Sequence, residues 1–350
     1  AALNERVVAL ARALKVTRGR KLRLDGTVVE TTIHHPSDSG LLGDGVRGLS
    51  RRRRRARVVL DGAAAGLGRT VFRTRTRSVR RLAQRLHRLA RRKGTEAAEE
   101  MRRAYARVIR VARTSLGPAV VVCAALRARS GASARRLVRQ FEAFLPRVER
   151  AIAQATRRVI HGEAVPAPEK IVSLFEPHTQ IIVRHKAGRP VEFGRKLWLE
   201  EVEGGIVSGW RVLAGAGQDA PYLAAGLAAH QQRFGKPPRL LTADRGVFSP
   251  RHEAQAERAG GRRVAIPAAG RASGMPERTR KERQGWFRRG FRFRAGIEGR
   301  ISVLRRCYGL DRCRDHGERG MGRWAGWGIV TANLERSART VAAREPPQAA

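Results

Sequence analysis

Leu137, Phe141, Phe144, Val148 and Ile152 recur at intervals of four, three, four and four residues, and Leu82, Leu86 and Leu89 at four and three. This is the spacing of one apolar face along an α-helix. It holds in the stretch from Arg51 to about His161. The flanks alternate like strands instead. Leu22 and Leu24 precede the β-branched run Thr27-Val28-Val29, and beyond Lys170 come IVSLF, QIIVRH, KLWLEEV and IVSGWRVL. The last two are joined by Gly204-Gly205, a hairpin signal.

The remaining pattern completes an α/β protein. Residues 1 to about 15 read as the end of a helix. A helix over Tyr222 to Phe234 leads to the apolar strand RLLTAD, followed by a helix near Arg251 to Ala259 and a short strand at VAIP. Further helices are expected from about Ala295 to Arg306 and from Trp324 to Glu335, and HHPSDSGLLGDG reads as a polar, glycine-containing loop. Pro146 is expected to start or kink a helix. The tail EPPQAA carries no apolar pattern and is expected to be disordered. Strands that alternate with helices imply a mixed sheet with crossovers.

The formal net charge is +43, and arginine supplies 65 of the 73 basic residues. Such a balance points to a polyanionic partner, nucleic acid first, and arginine suits bidentate phosphate contacts. A GC-rich genome, which inflates Ala, Arg and Gly together, accounts for part of it. The longest apolar run, around Ala119 to Leu126, is shorter than the ~20 residues a bilayer requires. Cys123, Cys307 and Cys313 form no CxxC pair, so a reducing cytoplasm is expected. Cys307, Cys313 and His316 are close enough in sequence to suggest zinc, but a fourth ligand is not apparent.

Three carboxylates stand where metal-dependent phosphodiester chemistry would need them. Asp244 follows Leu240-Leu241-Thr242-Ala243, at the carboxyl end of a strand, where open α/β sheets tend to bind ligands. Its alternative role is to cap the helix entered at Ser249-Pro250. Asp25 lies in KLRLDGTVVE, where Asp-Gly also reads as a hairpin turn. On a helix, Arg294, Glu298 and Arg305 fall within about 40° of one another beside the apolar stripe of Ile297, Ile301 and Leu304. That suits a metal ligand whose neighbours grip phosphate, and equally an ordinary i, i+4 ion pair on a solvated face.

The stretches LRLDGTVVETTIHHPSDSGLLGDGVR, TADRGVFSP and FRAGIEGRISVLRRCYGLDR resemble, in that order, the three acidic motifs of DDE transposases from bacterial insertion sequences, and most nearly the group of unclassified insertion sequences. The third is also similar to the Tyr-x2-Arg-x3-Glu-x6-Lys pattern of related transposases, here Phe291, Arg294, Glu298 and Arg305. Phe291 lacks the phenol hydroxyl, whereas Arg305 keeps the cation. The resemblance, which extends through the strand region from IVSLF to SGW, implies a ribonuclease H-like core with the first Asp on the first strand, the second just after the fourth, and the Glu on a later helix. Residues 1–50 and 166–340 would form that core, 51–165 an arginine-rich helical insertion, and 341–350 a tail.

By that resemblance Asp25, Asp244 and Glu298 would hold two Mg²⁺ or Mn²⁺ ions, and Arg294, Arg300 and Arg305 would bind backbone phosphates of double-stranded DNA. His34 and His35 would orient DNA or the first Asp. Trp286 would pack, or stack on an unpaired base, and Trp324 and Trp327 would pack. A homodimer acting on paired ends is implied, and a chain starting so near the first motif suggests a truncated product. A nuclease of the same core that cuts without strand transfer, and a non-catalytic DNA-binding relic, are the competing readings.

Overall fold

The computed structural model describes residues 2–186, 188–215, 221–260 and 262–344. The chain divides into two compact units, Ala1–Thr32 with Gln180–Ala350, and Ile33–Thr179. It opens with helix α1 (Ala2–Ala13) and strand β1 (Lys21–Thr31), and then leaves for the helical unit.

The helical unit contains α2 (Asp38–Leu60), α3 (Ala63–Gly66), α4 (Thr76–Leu89), α5 (Thr95–Arg127) and α6 (Ala132–Ala155). It begins earlier than residue 51, because the glycine-containing stretch expected as a loop is the first half of α2. Ser37 caps it by accepting from the Gly40 amide at 3.1 Å. The glycines serve packing rather than turning: a Cβ at Gly48 would lie 2.3 Å from the Phe144 ring, and one at Gly45 would lie 3.1 Å from Val148. They let α2 and α6 approach closely over a core that includes Leu42, Leu49, Val108, Leu126, Phe141 and Phe144. Gly48→Leu should therefore destabilise this unit by about 1–3 kcal/mol through overpacking. Loss of helical circular dichroism at lower denaturant checks this, and an unchanged midpoint would contradict the packing role.

Pro146 lies inside α6, which runs on past it. Helix α5 is longer than its apolar core, and an 18-residue window within it reaches a mean hydropathy of 1.5. One helix among the described residues thus meets the length and composition of a membrane span, which the run from Ala119 to Leu126 alone does not. Its Ala104, Val108, Ala112, Ala119, Val122 and Leu126 belong to the core of the helical unit.

The expected strand IVSLF does not form. Ile171 and Leu174 join the helical core, and the backbone of Ile171 is paired by a side chain instead of a strand. Gln154 Oε1 accepts from the Ile171 amide at 2.8 Å, and Gln154 Nε2 donates to its carbonyl at 3.3 Å. A buried peptide group needs a partner but not a particular one, so an apolar run alone could not reveal this.

The second unit resumes with β2 (Gln180–Lys186), β3 (Arg189–Val202), β4 (Ile206–Val212), α7 (Pro221–Phe234), β5 (Leu240–Ala243), α8 (Pro250–Arg258) and β6 (Val264–Ala265). It ends with α9 (Pro276–Arg283), α10 (Gly285–Cys307), β7 (Arg312–Cys313) and α11 (Gly317–Ala342). Seven strands form one mixed sheet, five of them in the order β2-β3-β1-β5-β6, with β4 paired to β3 and β7 to β1. Strand β1 runs antiparallel to β3 and parallel to β5, which is parallel to β6. With β1 along one edge of β3, β2 and β4 share the other, opposite Val191–Gly194 and Leu197–Val202 respectively. The β3–β4 hairpin turns at Gly204 and Gly205, both at positive φ, as their spacing predicts.

The two faces of the sheet are covered separately. Leu22, Leu24, Trp198 and Leu241 pack with Val8 of α1 and with Leu223 and Leu227 of α7. Val29, Leu197 and Leu199 pack with Leu304 of α10 and with Met321 and Ile329 of α11. On the α7 side the buried His230 donates through Nε2 to the Gly19 carbonyl, 3.0 Å away, and burial lowers its pKa to about 4. Helix α10 starts ten residues before the expected Ala295, and α11 extends to Ala342. Arg344 then donates to the carbonyls of Leu14 and Lys15 at 2.7 and 3.1 Å, so the tail is ordered to this point. Residues 345–350 of the expected disordered tail lie outside the described residues.

Candidate active site

Asp25 sits in the middle of an unbroken β1, so Asp25-Gly26 is not a hairpin turn. Its neighbours Lys21 to Leu24 pair in parallel with Leu240 to Ala243, a register that sets Asp25 beside Asp244 at the end of β5. Side chains alternate along a strand, and Asp25 points to the same face as Val29, the face covered by α10 and α11. Asp244 caps a 3₁₀ turn at Arg245–Val247, accepting from the Arg245 amide at 2.7 Å. It does not cap α8. Ser249 does, accepting from the His252 amide at 3.1 Å. β5 is the fifth strand in the chain and not the fourth, because β2 adds a short segment at the edge.

Glu298 lies on α10, one turn after Arg294, and the guanidinium of Arg294 joins all three acids. It stands 3.2 Å from Asp25 Oδ2, 3.5 Å from Asp244 Oδ1 and 3.0 Å from Glu298 Oε1. The expected i, i+4 pair is therefore present, between an Arg294 side chain only 12% exposed and a Glu298 side chain 68% exposed. Ile297 and Leu304, buried on the same helix, hold that face against the sheet. Sequence spacing could pair Arg294 with Glu298. It could not show that Arg294 also reaches two strand ends.

These residues line a cavity of about 1550 Å³, together with Arg184, Arg305, Arg306, Arg312, Arg314 and Asp311. Six arginines line it against four carboxylates, and Glu192 and Glu30 pair with Arg184 and Arg312 at 3.1 and 2.7 Å, so its wall is rich in guanidiniums that are each close to a carboxylate or to the mouth. Arg305 already has partners, Asp311 Oδ1 at 2.7 Å and Glu192 Oε1 at 3.9 Å.

The donor set tests well for a hard divalent cation in its chemistry, three carboxylates collected around one positive centre. In its present geometry the guanidinium supplies that centre. Among the described residues no three His, Cys, Asp or Glu side chains are grouped closely enough to hold one ion. A metal would therefore have to displace Arg294. Arg294→Ala should raise Mn²⁺ affinity about tenfold, corresponding to ~1.4 kcal/mol of lost competition. Calorimetric titration reads this directly, and weaker Mn²⁺ binding by the variant would count against competition.

Among the residues singled out by sequence, Arg300 and Trp327 depart from expectation, and Trp324 and Trp286 pack as expected. Arg300 is not in this cavity: it lies about 200° round α10 from Glu298, with its Nε 3.5 Å from Glu201. His34 belongs to the helical unit, where its Nε2 is 3.4 Å from Asp44. Trp327 is 62% exposed and does not pack into the core. Trp324 is partly buried, and its Nε1 donates to the Gly309 carbonyl at 2.7 Å. Trp286 packs edge-on against Phe287 and lies 5.8 Å from the Arg263 guanidinium. Cys313 is buried with its thiol 3.3 Å from the Asp315 carbonyl, and Cys307 is exposed, so the two do not assemble a zinc site.

Comparison with protein-family models, with curated proteins and with solved structures returned no match.

Proposed function

We propose that the chain is a DDE transposase of the bacterial insertion-sequence type, cutting DNA at element ends and joining them to a target. The observation that carries this reading is the meeting of Asp25, Asp244 and Glu298 at one guanidinium, from a strand, a strand end and a helix far apart in sequence. A mixed sheet with β1 at its centre, antiparallel to β3 and parallel to β5, supports a ribonuclease H-like core interrupted after its first strand. Double-stranded DNA is the partner, a homodimer on paired ends the working form, and the cytoplasm the location that goes with it.

Two Mg²⁺ or Mn²⁺ ions, when bound, supply an activated water or 3′-hydroxyl and stabilise the leaving oxygen. Asp25 and Asp244, adjacent across parallel strands, would hold the ion on the nucleophile side, and Asp25 with Glu298 the ion on the leaving side. Arg294 would then be free of the carboxylates and available to a phosphate beside them. Arg305, Arg312 and Arg314 line the same cavity and would position the DNA backbone. The arginine-rich helices of residues 33–179 would add salt-sensitive, sequence-independent affinity.

Labelled inverted-repeat DNA incubated with Mg²⁺ or Mn²⁺ tests the reading. Joined products in target DNA are expected. Cutting without joining would indicate a nuclease of the same core, and binding without chemistry a relic.

A further inference from the structure

A second cavity, of about 380 Å³, opens across α10 from the carboxylates, between that helix, the β3–β4 hairpin and α11. Its buried floor carries an imbalance of charge. Glu201 is fully buried and gives both oxygens to Arg23, at 2.8 and 2.6 Å. The same single negative charge also faces Arg300, whose Nε is 3.5 Å away and is buried without a hydrogen-bond partner. Two guanidiniums thus share one carboxylate at a place where little solvent reaches them.

The rim adds to the excess. Arg336 Nε donates to the Gly204 carbonyl at 2.9 Å, which leaves its charge uncompensated, and Arg339 is paired with Glu335. The Tyr308 hydroxyl, hydrogen-bonded to Glu335, holds that carboxyl below the usual range, so it remains ionised at neutral pH. Four arginines therefore face two carboxylates. Glycines make the room: a Cβ at Gly205 would fall 2.2 Å from Arg300 Nη2, and one at Gly296 would fall 2.3 Å from Arg23 Nη1. Surplus positive charge on partly buried guanidiniums is the environment that a tetrahedral oxyanion satisfies, through forked hydrogen bonds to their terminal nitrogens.

We propose that this cavity is a phosphate-binding site, distinct from the carboxylate cavity, in which Arg300 and Arg336 grip the oxygens and Arg339 adds charge at the mouth. The ligand chemistry is a phosphate, either of a nucleic-acid backbone or free in solution. The inference does not require the carboxylates to perform any reaction.

Two measurements on the full chain test it, with Arg300→Gln and the surface double variant Arg336→Gln/Arg339→Gln. In the first, inorganic phosphate replaces chloride at matched ionic strength and the melting temperature is followed. Phosphate should raise it in the parent chain and do so clearly less in both variants. In the second, affinity for a DNA duplex is measured against salt. Loss of a backbone contact should weaken binding several-fold and lower the salt slope by about one for each phosphate lost. A reduced melting response with a reduced slope assigns the site to backbone phosphate, and a reduced response with an unchanged slope assigns it to free phosphate. Parent-like behaviour of the double variant in both measurements overturns the proposal, whether or not Arg300→Gln folds.

Discussion

Asp244→Asn should reduce metal-dependent cleavage and joining of DNA by about a thousandfold or more, while the protein stays folded and still binds DNA. The substitution keeps the shape of the side chain and removes one charge from a group about half exposed at the end of β5. Its contact with Arg294 is the longest of the three, at 3.5 Å, so little stability rests on it. On the proposed reading it would remove an anionic ligand for a cation whose stabilisation of the transferring phosphoryl group is worth several kcal/mol, and about 4 kcal/mol corresponds to three orders of magnitude. DNA affinity should hold or rise, since a negative charge has left an arginine-lined cavity. The decisive comparison is product formation by parent and variant at equal DNA occupancy. Chemistry that survives the substitution would sink the proposed site.

The largest effect on folding should come from Glu201→Gln. Glu201 is wholly inaccessible to solvent and compensates both Arg23 and Arg300. Once it is neutral, two guanidiniums face each other across a low-dielectric gap with no counter-charge. Removing one partner of a buried pair typically costs about 3–5 kcal/mol. All five tryptophans of the chain, at positions 198, 210, 286, 324 and 327, fall in the unit that contains Glu201. Denaturant unfolding followed by tryptophan fluorescence therefore reports that unit alone, and the midpoint should fall. A variant as stable as the parent would mean that solvent or a bound anion already compensates the arginines. Added phosphate should restore part of the lost stability if the second cavity takes that ion.

Much of the fold was legible because its signals are periodic. The face of α6 from Leu137 to Ile152, the β3–β4 hairpin at Gly204-Gly205 and the strand ending at Ala243 each follow from local spacing. The failures have a common cause: residues whose role is set by a distant neighbour. Gly45 looks like a loop residue until Val148 is placed against it. The run IVSLF looks like a strand until Gln154 takes its backbone hydrogen bonds. Arg300 and Glu298 are two residues apart in sequence, and helical rotation sends them to different cavities.

The same division applies to the candidate site. The sequence by itself determined that three acidic segments exist, that one follows a strand and one rides a helix with Arg294 a turn before it, and that the chain carries a large excess of arginine. Local chemistry and periodicity suffice for each of these statements. Only the tertiary structure decided that Asp25 lies within a continuous strand and that its parallel register with β5 sets it beside Asp244. It alone brought Arg294 to all three carboxylates and turned Arg300 away toward Glu201. Those facts depend on strand pairing across more than two hundred residues and on the rotation of α10 against the sheet, both of which are set by burial of apolar surface summed over the whole unit.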